Sequence, residues 1–153
     1  MYLDQVDEFA RQVGPASREI LTDDLRRAIG LKLEKMAGAP REDVPWMTYW
    51  LIIVTRNRFG AGMIGFKGAP DAQGVVEIGY GIAKGYQNKG YMTEAVKGII
   101  RWAFNDSRCQ RIVAPDTLRS NIASNRVLQK AGMWVYEKSA DSLSWCLDRY
   151  LES

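Results

Sequence analysis

The sequence predicts a mixed α/β fold organised on one central sheet. Three stretches carry that expectation. Residues 75–104, VVEIGYGIAKGYQNKGYMTEAVKGIIRWAF, read as an apolar strand, a Gly-punctuated loop and an amphipathic helix. Residues 111–132 repeat the order, with RIVAPDT ahead of SNIASNRVLQKAG. Between 46 and 67 a β-branched and aromatic run turns back on itself as a hairpin.

Taken in order, residues 4–13 carry Val6, Phe9, Ala10 and Val13 at helical spacing, ended by Gly14-Pro15. Thr22 is a suitable N-cap for a second helix, with Asp23 and Asp24 in its first turn. Leu25, Ile29, Leu33 and Met36 continue it to Gly38-Ala39-Pro40, and residues 38–45 are a loop by composition. Residues 46–55, WMTYWLIIVT, read as a strand, 56–60 as its turn and 62–67 as the returning strand. A polar turn over 68–74 leads to Val75, Val76, Ile78, Tyr80 and Ile82, which suit a largely buried strand. Gly79 and Gly81 interrupt it, as at a bulge or where a backbone or ligand comes close. Val96, Ile99, Ile100, Ala103 and Phe104 then recur at helical spacing.

In the strand at 111–117, Pro115 cannot donate to a ladder and belongs at an end or irregularity. The following helix runs from about 121 to 131, capped by Ser120 or Asn121 and terminated by Gly132. Two strands close the chain, near 133–138 and 143–151.

At 153 residues this is one domain, long enough to bury a proper core. Its 46% hydrophobic and 25% charged residues are those of a soluble globular protein. No apolar run approaches the roughly 18–20 residues of a membrane span. The opening MYLDQVDEFARQ is polar and acidic, unlike a signal peptide, so cytoplasm is the expected compartment. A dispersed net charge of +3 argues against nucleic acid as the partner. Cys109 and Cys146 form no C-x-x-C and read as reduced, partly buried thiols. There is no histidine. Ser–His and Cys–His nucleophiles, histidine bases and His-bearing metal sites are therefore excluded, and no metal is expected. Acid–base chemistry falls to carboxylates, Tyr, Lys, Ser or water.

A strand feeding a Gly-containing loop into a helix N-terminus presents free N–H groups and the positive end of the dipole, a site for phosphate. An ordinary strand–turn–helix explains the same glycines. No G-x-G-x-x-G follows the strand, and no G-K-[ST] follows a spaced Gly.

The loop reads Gln87-Asn88-Lys89-Gly90-Tyr91-Met92, which resembles the Q/R-x-x-G-x-G/A signature of the GNAT superfamily of N-acetyltransferases, with Met92 departing from the final Gly or Ala. Its flanks resemble the branch holding ribosomal-protein N-terminal and aminoglycoside acetyltransferases. Residues 121–133, NIASNRVLQKAGM, are similar to the N-x-x-S-x-r-v-L-x-K-x-G-F segment of the same family. The resemblance covers residues 50–136 well. It implies a single N-acetyltransferase domain over 1–153, with a mixed, mostly antiparallel sheet splayed between the strands at 75–83 and 111–116 and helices on both faces. The family's opening strand has no counterpart. Either it is truncated here, or the sheet edge is closed otherwise, by a partner such as a second copy in a homodimer.

The resemblance implies acetyl transfer from acetyl-CoA to a primary amine, on a small molecule or a protein N-terminus, by direct attack in a ternary complex. A non-catalytic CoA-binding or sensory module is the alternative. The pantetheine arm would lie in the splay, against backbone groups near Ile82 and Lys84. The pyrophosphate would sit on the loop Gln87, Asn88, Lys89, Gly90, Tyr91, Met92 and Thr93, while Asn121 and Ser124 would face the pantetheine or thiol. Presenting a lysine-like amine neutral at pH 7 costs about 4–5 kcal/mol. Glu77 and Asp116 are the candidate bases; each also suits an ordinary surface or turn carboxylate. Leu128 stands where many members carry a tyrosine acid, which leaves Ser124, or unaided thiolate departure. Trp46, Tyr49, Trp50 and Phe66 are either core or an acceptor pocket, and Trp102, Trp134 and Trp145 core or partner-facing.

Overall fold

A computed structural model describes residues 22–150. The helix expected over 4–13 lies outside the described residues, and so does any strand ahead of it. Helix α1 (Asp23–Ala37) begins where expected: the Thr22 side chain accepts from the Leu25 N–H at 3.2 Å, and Asp23 and Asp24 face the positive end of the dipole.

A short helix α2 (Val44–Met47) follows, and it corrects the strand expected from residue 46. Pro45 stands in its first turn, where a fixed φ favours helix and a missing N–H costs nothing. Trp46 consequently turns into the core, 1% exposed, instead of taking a sheet face.

Six strands form one sheet: β1 (Tyr49–Val54), β2 (Phe59–Phe66), β3 (Val75–Ile82), β4 (Arg111–Leu118), β5 (Trp134–Lys138) and β6 (Ser142–Asp148). Their order is β1-β2-β3-β4-β6-β5. Only β3 and β4 run parallel, joined by the crossover helix α3 (Tyr91–Phe104). Helix α4 (Ile122–Lys130) links β4 to β5 and ends at Gly132 with φ +91°, a left-handed backbone that favours glycine.

Ile64, Phe66, Val76 and Ile78 from the sheet form one buried core with Val96, Ile99, Ile100 and Ala103 of α3 and Leu128 of α4. Trp46 extends it, with ring centroids 5.1 Å from Phe66 and 4.7 Å from Trp102. Trp46 and Phe66 are thus core residues. Trp50 lies 5.3 Å from Trp102 and so shares the α3 side, which turns Tyr49 to the other side by the strand's alternation. There α1 covers the sheet: the Lys32 ammonium sits 4.1 Å from the Tyr49 ring centroid and donates to the Phe66 carbonyl at 2.7 Å. Helices therefore flank both faces. Trp145 is buried, whereas Trp134 is 48% exposed on the edge strand β5.

The splay is present. β3 and β4 pair only at Val75↔Arg111, Val76↔Ile112 and Glu77↔Val113. Beyond that point β3 keeps its partner β2 and β4 keeps β6. Pro115 has no N–H to offer, Asp116 has φ +52°, and the β4–β6 register shifts between Ala114 and Thr117. An irregularity of this kind bends a strand away from its neighbour. Gly79 and Gly81 mark no bulge, since the β2–β3 register runs unbroken past them. A Cβ on either would meet nothing within 4 Å, so both face open space.

Candidate active site

A cleft of about 310 Å³ opens where β3 and β4 part. One wall is the loop into α3: Gln87, Asn88, Gly90, Tyr91, Met92 and Thr93. Asn88 and Gly90 have φ of +60° and +84°, left-handed values that curl the chain around the helix start. The first helical bond runs from the Glu94 N–H to the Gly90 carbonyl at 3.1 Å, and no side chain caps this end. The N–H groups of Tyr91, Met92 and Thr93 therefore lack helical acceptors, at the positive end of the dipole, where an anion fits. A Cβ on Gly90 would meet nothing, so its surroundings are open.

Met92 fills the position where the loop signature has Gly or Ala, and its side chain is buried in the core. It is also one of the residues that line the cleft. Lys84 opens the 3-10 turn Lys84–Tyr86, outside the cleft lining. Lys89 also stands off it, with its ammonium 5.7 Å from the Tyr86 ring centroid. Tyr86 does line the cleft, and it stacks on Phe59 of the hairpin at 5.0 Å and 13°. Ile82 borders the cleft, and its carbonyl accepts from Gln87 Nε2 at 3.5 Å.

The opposite wall is α4, through Asn121, Ala123, Ser124, Arg126, Val127 and Lys130. Asn121 caps the helix, its Oδ1 accepting from the Ser124 N–H at 3.1 Å. Ser124 Oγ lies 2.7 Å from the Tyr80 hydroxyl across the gap. Burial pushes the Tyr80 pKa up, and the Ser124 hydrogen bond offsets this only partly. Leu128 is wholly buried, so a tyrosine role there is replaced by packing.

The two candidate carboxylates stand outside this lining. Glu77 forms an ion pair with Lys67. On β3 it alternates with Val76, Ile78 and Tyr80, so it points to the face opposite α3. Asp116 sits at the β4 irregularity: its N–H donates to Ser144 Oγ at 3.1 Å, and a carboxylate oxygen accepts from Ser142 Oγ at 3.4 Å. Among the described residues, no group of three or more His, Cys, Asp or Glu is placed to hold a metal, and no helix is long and apolar enough to cross a membrane.

The sequence does not mark Tyr80, Tyr86, Arg126 or Lys130 as site residues, although all four line the cleft. Tyr80 reads as one more apolar strand residue, and only the fold brings α4 over it. Arg126 and Lys130 are four apart and so share one side of α4, a signal that was legible in their spacing.

A family model described as "Acetyltransferase (GNAT) domain" matches residues 4–134. The chain belongs to the GNAT acetyltransferase family. It is 35% identical over 96 residues to YjdG of Bacillus subtilis (strain 168), described as an uncharacterized N-acetyltransferase. That match covers 63% of this chain and 56% of the relative, so the chain spans little more than half of that relative's length. Among solved structures, the ribosomal-protein-S5-alanine acetyltransferase from Vibrio fischeri has a TM-score of 0.58 and 22% identity, covering 65% of this chain and 60% of the other. The aminoglycoside acetyltransferase AAC(6')-Ib in complex with coenzyme A has a TM-score of 0.54 and 20% identity, covering 61% of this chain and 62% of the other. At these identities the likeness is one of fold. It matches the GNAT-like α/β domain expected from the sequence.

Proposed function

We propose that this GNAT domain transfers an acetyl group from acetyl-CoA to a primary amine, on a small molecule or a protein N-terminus, by direct attack in a ternary complex. The observation that carries the reading is the pairing of a phosphate-ready helix N-terminus with a hydroxyl pair on the two walls of one gap. Tyr91, Met92 and Thr93 offer their N–H groups to the pyrophosphate, and Arg126 and Lys130 add positive charge across the cleft. The β4-facing edge of β3 beyond Glu77 has no strand partner among the described residues, so its backbone is open to the pantetheine amides.

In the reaction the amine nitrogen bonds to the acetyl carbon, the C–S bond breaks, and the sulfur leaves with the bonding electrons. Ser124, hydrogen-bonded to Tyr80, stands on the thiol side of the gap and passes a proton to that sulfur. The amine's surplus proton goes to Glu77, directly or through water, with Asp116 the second candidate. No histidine is needed, and none is present. A non-catalytic CoA-binding module would use the same loop but give no task to Tyr80 and Ser124.

The test is release of free thiol from acetyl-CoA in the presence of a panel of amines, alongside thermal unfolding with and without CoA. Amine-dependent thiol release is expected. Stabilisation by CoA with no turnover on any amine would leave the binding module as the function.

A further inference from the structure

The face of the sheet that α1 covers carries its own chemistry. Glu77, Gly79 and Gly81 alternate with Val76, Ile78 and Tyr80, so they face away from α3, on the side that α1 covers. Gly81 also borders the cofactor cleft. A Cβ on Gly79 or Gly81 would meet nothing within 4 Å, so this face of β3 is open beside both glycines, between the cleft and Glu77. At the far end stand three lysines. Lys67 pairs with Glu77. Lys32 reaches from α1 to the carbonyl of Phe66, the residue beside Lys67. Lys35 is near enough, with Lys67, to repel the Lys32 ammonium.

Lys32 is the unusual member. It is half-buried, and its pKa is lowered to about 8, chiefly by burial and then by repulsion from Lys35 and Lys67. Among the described residues its contacts are a carbonyl and the Tyr49 ring; no carboxylate is in ion-pair contact with it. Of the three ammonium groups, only Lys67 is paired with a carboxylate, Glu77, among the described residues. A half-buried ammonium with donors to spare is a receptor for an anion. A second cation brought here would raise the repulsion.

Resting on the acetyltransferase reading, we propose that the acceptor amine carries a carboxylate near the reacting nitrogen, and that Lys32, with Lys35 and Lys67 beside it, receives that carboxylate. Polyamines and aminoglycosides would bring further positive charge to this face and are disfavoured. The carboxylate tethers the acceptor at Lys32, and Glu77 remains between it and the gap as the proton acceptor.

The experiment compares two matched pairs of acceptors in the thiol-release assay. One pair is 5-aminovalerate against cadaverine, for a free amino acid. The other is the C-terminally amidated dipeptides Ala-Glu and Ala-Lys, for a peptide N-terminus. In at least one pair the anionic member should exceed the cationic one by about tenfold or more in kcat/KM. That ratio should fall towards one in Lys32→Gln, and also in Lys35→Glu, which changes only an exposed residue of α1. Unfolding with and without CoA establishes that each variant is folded and binds cofactor. Equal or greater use of the cationic members would overturn the inference while leaving acetyl transfer intact. So would a preference that survives in both variants. Absence of turnover on every amine would overturn the acetyl-transfer reading, and this inference with it.

Discussion

The Tyr80 hydroxyl stands 2.7 Å from Ser124 Oγ, tying β3 to α4 across the gap where β3 and β4 part. Either oxygen can be the donor, so the pair can pass a proton along one hydrogen bond. Ser124→Ala and Tyr80→Phe are each expected to lower kcat about tenfold, a modest loss because a thiolate is a good leaving group. The double variant should lose little more than the worse single one, as for residues acting as a unit. Burial raises the Tyr80 pKa above its ordinary value of 10.0, so the phenol keeps its proton through the neutral range. Any alkaline fall in kcat due to this group lies above pH 10.0 and should vanish in Tyr80→Phe. Multiplicative losses in the double variant would show the two hydroxyls acting independently.

Gly90 separates two effects that share one position. Its φ of +84° makes any other residue strained, by roughly 1–2 kcal/mol. Gly90→Ala should therefore lower thermal stability and weaken CoA binding only mildly. Gly90→Glu adds bulk and negative charge where the pyrophosphate is expected, and CoA should no longer raise its unfolding temperature. Titration of CoA by calorimetry against both variants checks this, and equal affinities would place the pyrophosphate elsewhere.

Glu77 is held by Lys67 on the face away from α3. If it takes the amine's proton, Glu77→Gln should lower turnover at neutral pH and recover as pH approaches the amine's own pKa, where the acceptor deprotonates unaided. The readout is a pH–rate profile of both proteins. A profile of unchanged shape removes Glu77 as the base and leaves Asp116 to be tested in the same way.

Leu128 occupies the family's tyrosine position as a core residue with no exposed surface. Leu128→Ala should cost about 2–5 kcal/mol of stability, from lost burial and the cavity left behind. Leu128→Tyr should also destabilise, by roughly 1–3 kcal/mol through overpacking, without raising kcat. Urea unfolding gives the first two quantities. A gain in turnover from Leu128→Tyr would mean that the position still faces the sulfur.

Much of this molecule is legible locally. Thr22, Asn121 and Gly132 act as the caps and terminator that their chemistry suggests. Pro115 lies at the irregularity that a missing N–H demands, and the splay begins beside it. The misreading at residue 46 has an equally local cause. Aromatic and β-branched residues suggested a strand, and Pro45 turned the chain into a helix first. Gly79 and Gly81 were legible as special, but not as open space rather than a bulge, because only neighbouring elements decide what a missing side chain faces.

By itself the sequence determined the order of the strands and of the helices between them from the hairpin onward, the Gly-containing loop before α3 and a chemistry without histidine. Each depends on residue types and on neighbours a few positions apart. Tertiary structure alone decided that Tyr80 meets Ser124, 44 residues away, and that Leu128 is interior. It also decided that Lys32 of α1 reaches the Phe66 carbonyl, 34 residues on. Such contacts depend on how a strand and a helix pack, and packing is set by the burial of every other face at once.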